Sequence, residues 1–156
     1  MLSEKEKPLC SRQRFIVIFC FQNSQANNAD AATIKALPAS DSSIDAADAY
    51  NRQLNTTPNS FYKPDLVSGY AQTLDISGTG IMGYITIPKI SVELPIYHGT
   101  DEGVLQVAAG HLEGSSLPVG GAGTHAVISA HRGLPSAKLF TNLDALKEGD
   151  TFTIKI

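Results

Sequence analysis

The chain has 156 residues, 42% of them hydrophobic and 17% charged, with a formal net charge of −3. That length suits one domain, the apolar content excludes a polar disordered chain, and the acidic balance offers no basic surface for nucleic acid. No apolar stretch reaches the roughly 18 residues of a membrane span, and two cysteines, Cys10 and Cys20, exclude a disulfide scaffold and a cysteine metal site.

Residues 1–21 place Lys5, Lys7, Arg12 and Arg14 ahead of the apolar run from Phe15 to Phe21. A basic flank before a seven-residue apolar run has the form of a shortened signal or membrane anchor, and the run reads equally as a buried strand. Residues 22–42 are rich in Asn, Ala and Ser and read as a linker or a loose helix. Ser42 as cap and Asp45 in the first turn then predict a helix from Ile44 to Leu54, ended by Pro58. Residues 55–80 hold Pro58, Pro64, Gly69, Gly78 and Gly80, the signature of a long surface segment.

All 13 glycines occur from Gly69 onward, which suits turns between short strands. Tyr84–Ile87 and Val92–Leu94 read as strands bounded by Pro88 and Pro95. Asp101 to Ala109 reads as a short helix capped by Thr100 and stopped by Gly110. Thr124 to His131 is the best strand, with His125, Val127, Ser129 and His131 on one face and Ala126, Ile128 and Ala130 on the other. Leu139 to Leu146 reads as a short helical connection. Asp150 to Ile156 alternates as a further strand, and ending there would leave an unpaired edge, so a natural protein is expected to continue beyond it.

Four histidines carry the candidate chemistry. Their spacings of 13, 14 and 6 residues do not suggest a metal site. His131 ends a strand just before Arg132-Gly133-Leu134-Pro135, where a rigid element can hold a ring open to a pocket. His98 and His111 read as turn residues that shape loops, and His125 as a packed or hydrogen-bonded residue. Ser115 and Ser116 form no nucleophile elbow and read as a turn. The glycines at 120–123 precede a strand and not a helix N-terminus, so they read as a tight turn. Glu93, Asp101, Glu102 and Glu113 form no acid/base pair and read as surface residues.

Four segments, taken together and in order, resemble the sortases, and the pilin-polymerising class C group in particular. They are Gly83-Tyr84-Ile85-Thr86-Ile87-Pro88-Lys89-Ile90, Leu94-Pro95-Ile96-Tyr97-His98-Gly99-Thr100, the run from Gly110 to Gly121, and the run from His125 to Pro135. The resemblance covers about Tyr50 to Ile156. It implies a mainly β fold, an eight-stranded barrel of which this chain holds roughly the first half, preceded by an N-terminal helix and a lid loop. The implied organisation is a shortened anchor at 1–21, a helix and lid segment at 22–82, and an incomplete barrel at 83–156.

The resemblance also implies a cysteine transpeptidase at the outer face of a Gram-positive membrane. A cysteine attacks the threonine carbonyl of an LPXTG-like sorting signal, and a lysine of another pilin resolves the thioacyl enzyme. Histidine serves as acid/base and arginine steadies the oxyanion. No cofactor, metal or nucleic acid is implied. His131 matches the catalytic histidine. The catalytic cysteine and arginine belong to later strands of the family, beyond this chain; Cys10 and Cys20 precede the barrel, and Arg132 is not the family's arginine.

Two further departures stand out. The lid usually carries an Asp-Pro-aromatic motif, whereas here Phe61, Tyr62, Pro64 and Asp65 place the acid after the proline. The usual membrane anchor is present only as the seven-residue apolar run. A different reading is a non-catalytic extracellular β-domain that binds sorting signals or pilins without cleaving them.

Overall fold

The computed structural model describes residues 16–23, 41–132, 138–147 and 149–156. Its sheet has six strands in the order β1-β5-β4-β3-β2-β6: β1 (Ile16–Asn23), β2 (Ile81–Ile87), β3 (Val92–His98), β4 (Ala109–His111), β5 (Thr124–His131) and β6 (Thr153–Lys155). Two helices join them, α1 (Asp41–Thr56) and α2 (Glu102–Leu105). The architecture is mainly β, an open half-barrel sheet with an N-terminal helix, as expected.

The apolar run near the N-terminus forms β1, antiparallel to β5, with Ile16 opposite His131 and Asn23 opposite Thr124. The basic residues before it and the linker at 24–40 lie outside the described residues. Among the described residues, no helix is long and apolar enough to cross a membrane.

Helix α1 begins three residues before the predicted Ile44 and places Ser42 and Ser43 in its first turn. Its C-terminal carbonyls are met by hydroxyls: Thr56 Oγ1 donates to the Arg52 and Gln53 carbonyls at 3.1 Å each, and Thr57 Oγ1 to that of Gln53 at 2.8 Å. These are back-bonds onto carbonyls of the preceding turn, that of Gln53 also accepting the Thr57 N–H at 3.0 Å, just ahead of Pro58. Ala47, Tyr50 and Leu54 recur on one face and enter the core with Met82, Ile85, Ile87, Ile96 and Ile128.

Strand β2 starts at Ile81, earlier than its Tyr84-centred pattern suggests, with an irregularity between Ile81 and Gly83 in its pairing to β3. A Cβ at Gly83 would lie 2.4 Å from the Lys155 carbonyl oxygen, so the close approach of β6 requires glycine there. Strand β3 continues through Pro95 to His98, longer than predicted. The ladder to β4 begins only at Ile96, so the missing N–H of Pro95 breaks no β3–β4 bond.

Strands β3 and β4 are parallel, which requires a crossover, and α2 supplies it. The helix is shorter than expected, Asp101 precedes it in place of the expected Thr100, and no side-chain cap bond is made. Leu105 is buried and anchors the crossover. Gly110 then passes so close to the chain that a Cβ would lie 2.3 Å from the Gly99 carbonyl oxygen. Strand β5 matches its prediction residue for residue and sits between β1 and β4. Its alternation hid one fact: Ala126, Ile128 and Ala130 are buried, and so are Val127, Ser129 and His131. The expected connection at Leu139–Leu146 is a single tight turn at Leu143–Ala145, and the last strand is confined to Thr153–Lys155.

Candidate active site

The two ends of β5 are built differently. At the end where the strand begins, polar side chains close a hydrogen-bond network. Ser115 Oγ donates to the Leu112 carbonyl at 2.7 Å and accepts the Val127 N–H at 3.1 Å. Ser116 Oγ accepts the His125 N–H at 3.1 Å, while the Ser116 N–H donates to the His125 carbonyl at 2.9 Å. The serine pair read as a turn is therefore a side-chain extension of the β4–β5 ladder.

His111 is fully buried on β4. Its Nε2–H donates to the Ser116 carbonyl at 2.8 Å, leaving the Nδ1 lone pair toward Tyr70 Oη at 2.9 Å. Tyr70 Oη also lies 2.9 Å from the His111 carbonyl and accepts the Gly99 N–H at 3.0 Å. Burial pushes the His111 imidazole down to about 4 and raises the Tyr70 phenol, so both remain neutral. His111 is thus a core residue, not the loop-shaping turn residue expected. His98 does shape a loop, since its Nδ1 and Nε2 lie 3.0 and 2.8 Å from the Gly80 and Thr73 carbonyl oxygens. The buried Asn51 pins α1 to this region: its Nδ2 donates to the Leu117 carbonyl at 3.1 Å and its Oδ1 accepts the Leu117 N–H at 2.7 Å.

His131 occupies the opposite end of β5. It is 7% exposed, and its Nε2 lies 3.2 Å from Oε1 of Glu102, the first residue of α2. That carboxylate is well exposed and also accepts Gln106 Nε2 at 3.2 Å. Arg132 directs its guanidinium at Asp144 through two hydrogen bonds. The arrangement is a ring on a rigid strand with a carboxylate on one nitrogen, a geometry able to move a proton.

Cys20 lies opposite Val127, four residues along β1 from the partner of His131. Four residues of strand span roughly 13 Å, so its backbone is not placed to set a thiol on this ring. Cys10 lies outside the described residues.

The lid candidates sit elsewhere. Phe61 and Tyr62 are exposed, with rings stacked edge-to-face at 5.4 Å. Phe61 shares a shallow cavity with Leu54, Ser60, Gly114, Ser116 and His125. His125 is six residues, roughly 20 Å of strand, from His131. Pro64 and Asp65 open a tight turn at Pro64–Leu66. The segment is tied down after it, because Val67, Tyr70 and Leu74 are buried in the core.

The sequence reads Glu102 as a surface residue, which it is, without its contact to His131, and assigns no role to Asn51 or Tyr70. The partners of Asn51 and Tyr70 lie 66 and 41 residues away, respectively. Glu102 meets His131 only because the crossover returns α2 toward the end of β5.

The sortase domain family matches residues 85–156. Sortase C1 from Streptococcus agalactiae is 49% identical, with a TM-score of 0.64 over 74% of this chain and 60% of its own. Sortase C2 of Group B Streptococcus pilus island 1 is 39% identical, with a TM-score of 0.59 over 74% of this chain and 68% of its own. Sortase C-1 from Actinomyces oris is 40% identical, with a TM-score of 0.61 over 72% of this chain and 65% of its own. The chain thus spans between 60% and 68% of these three structures. No curated protein sequence matches it.

Proposed function

Because the chain belongs to the sortase family, with class C sortases among its structural neighbours, we propose that it carries the acid/base part of a pilin-joining cysteine transpeptidase. In this reading His131 takes the proton from a cysteine thiol as the thiolate attacks the threonine carbonyl of an LPXTG-like sorting signal. The protonated ring then gives that proton to the leaving glycine amine. An acceptor lysine of another pilin resolves the thioacyl bond, at the outer face of a Gram-positive membrane. The thiol and the oxyanion arginine come from later strands of the family fold.

One observation carries the reading: His131 ends a strand fixed on both sides, and its ring rests on an exposed carboxylate. The rings of His98 and His111 meet backbone carbonyls and hold loops and core in place. Within the same proposal Phe61, Tyr62, Pro64 and Asp65 form the lid segment, largely exposed ahead of the buried Val67 and Tyr70. Limited proteolysis that cuts at 58–66 before any strand supports such a lid.

The test extends the full chain with the C-terminal strands of the S. agalactiae sortase C1. The extended protein is expected to cleave a fluorogenic LPXTG peptide and to transfer it to a lysine-bearing acceptor. His131→Ala should lower the rate by at least about 100-fold. The unextended chain should not cleave the peptide, since no cysteine follows Cys20. Peptide binding by the extended protein without cleavage would instead favour a binding domain.

A further inference from the structure

We propose that Glu102 is a positioning residue for His131: its carboxylate fixes the neutral imidazole with the proton on Nε2, which puts the proton-accepting lone pair on Nδ1. The inference rests on the reading of His131 as the acid/base group and deepens it, by naming the nitrogen that reacts and the side chain that selects it.

The tautomer follows from donor and acceptor chemistry. An ionised carboxylate only accepts hydrogen bonds, so a ring nitrogen 3.2 Å from Glu102 Oε1 must be the one that bears hydrogen. A neutral imidazole has one N–H, and its lone pair is then on Nδ1. Gln106, one helical turn on, donates to the same Oε1 and holds the carboxylate in place. The Gln106 bond, and then the His131 bond, keep the Glu102 carboxyl below the usual carboxylate range, so it is ionised at neutral pH.

Both partners stand on fixed supports. Strand β5 is held between β1 and β4. The helix that carries Glu102 is anchored by buried Leu105, and the Val104 and Leu105 N–H groups donate to the Asp101 carbonyl at 3.0 Å. The neighbouring Arg132 guanidinium pairs with the Asp144 carboxylate.

When Nδ1 takes a proton, the ring becomes a cation with its second N–H on Glu102. The carboxylate therefore favours both the reactive tautomer and the charged ring that follows. An exposed ion pair adds little to folding stability. Its effect is expected in the ring's orientation and tautomer, which a purely structural contact would not control.

Two measurements test the assignment. In the full chain, nitrogen-15 NMR of the neutral His131 ring should show the Nε2–H form dominant. Glu102→Ala should give a mixture of tautomers, while Glu102→Gln, which keeps an acceptor oxygen, should retain the Nε2–H form. In the extended protein, Glu102→Ala should lower kcat about tenfold with KM changed less than about twofold, and Glu102→Gln should recover part of that loss. An unchanged tautomer or an unchanged kcat in Glu102→Ala overturns the assignment. Activity that survives His131→Ala overturns the underlying reading instead, and the NMR comparison in the full chain still reports whether Glu102 holds the ring.

Discussion

His111 and His131 lie on neighbouring strands, and their surroundings differ in kind. His111 is sealed in the core with a hydrogen-bond partner on each ring nitrogen, drawn from Ser116 and Tyr70. His131 sits at the rim of the sheet, against a carboxylate that solvent reaches. A buried polar group with every partner supplied locks a fold and has little freedom to exchange protons. A ring at a strand end against a carboxylate that solvent reaches has a charged group through which protons can exchange. The contrast separates the histidine that holds the structure from the histidine proposed to act.

The sharpest way to break this comparison is to remove each ring in turn. His111→Ala deletes two buried hydrogen bonds and leaves a cavity beneath Tyr70, and is expected to cost roughly 3–5 kcal/mol in denaturant unfolding. His131→Ala should cost less, about 1–2 kcal/mol, because the ring, though buried, bonds a carboxylate that regains full solvation when the ring is removed. Equal losses would erase the distinction.

Acid provides the next test. The folded state holds His111 down to about 4, against 6.5 for the free side chain. The unfolded chain therefore binds the extra proton first as pH falls. Stability from this group is complete above about pH 7 and is lost between about 6.5 and 4, by up to ~3 kcal/mol. Urea titrations at pH 7 and 4.5 should show this loss, and His111→Asn should remove most of the difference between the two pH values. A wild-type curve that does not weaken over that window would mean that the ring is not held neutral.

The network extends beyond the histidines, and Asn51 shows how far. Asn51→Ala strips the Leu117 N–H of its partner and leaves the Leu117 carbonyl with the Val119 N–H, which it accepts at 2.9 Å. One buried N–H left unpaired, with a second hydrogen bond lost beside it, costs about 1–3 kcal/mol, which thermal unfolding would register. Asn51→Asp keeps an acceptor for the Leu117 N–H but presents no donor to its carbonyl, so its loss should resemble that of the alanine variant.

The sequence made part of this contrast legible. Strand β5 emerged from its period-two pattern, α1 from its apolar face and Pro58, and His131 from its place before the Arg-Gly-Leu-Pro run. These are local signals, and the local rules that read them apply wherever the residues lie in the fold. The partners of His111 were not legible. Tyr70 lies in a segment that read as exposed loop, because proline and glycine surround it, yet its ring packs on His98 at 5.0 Å and on His111 at 5.7 Å. Glu102 was hidden for a similar reason. Nothing in its own neighbourhood marks it, and only a parallel crossover carries it to the end of β5. In this fold, α1 and β5 were carried by local pattern, while the polar contacts that distinguish one histidine from another were set by topology.

The smallest effect is expected where the rule of full satisfaction fails, and it sharpens the comparison most. Tyr50 and Tyr70 are both buried, with ring centroids 6.2 Å apart. The Tyr70 hydroxyl serves His111 and Gly99, so Tyr70→Phe should cost about 1–2 kcal/mol. The Tyr50 hydroxyl has no hydrogen-bond partner among the described residues, and burial, with the Glu113 charge adding to it, pushes its phenol up to about 12. Its desolvation is uncompensated, so Tyr50→Phe removes a penalty and no bond. The apolar ring remains and still packs beside Ala47 and Leu54. The expected result is a gain of up to about 1 kcal/mol, seen as a higher midpoint in urea at an unchanged slope. A loss comparable to that of Tyr70→Phe would show that Tyr50 belongs to the satisfied network after all, and that the boundary drawn around His111 should be wider.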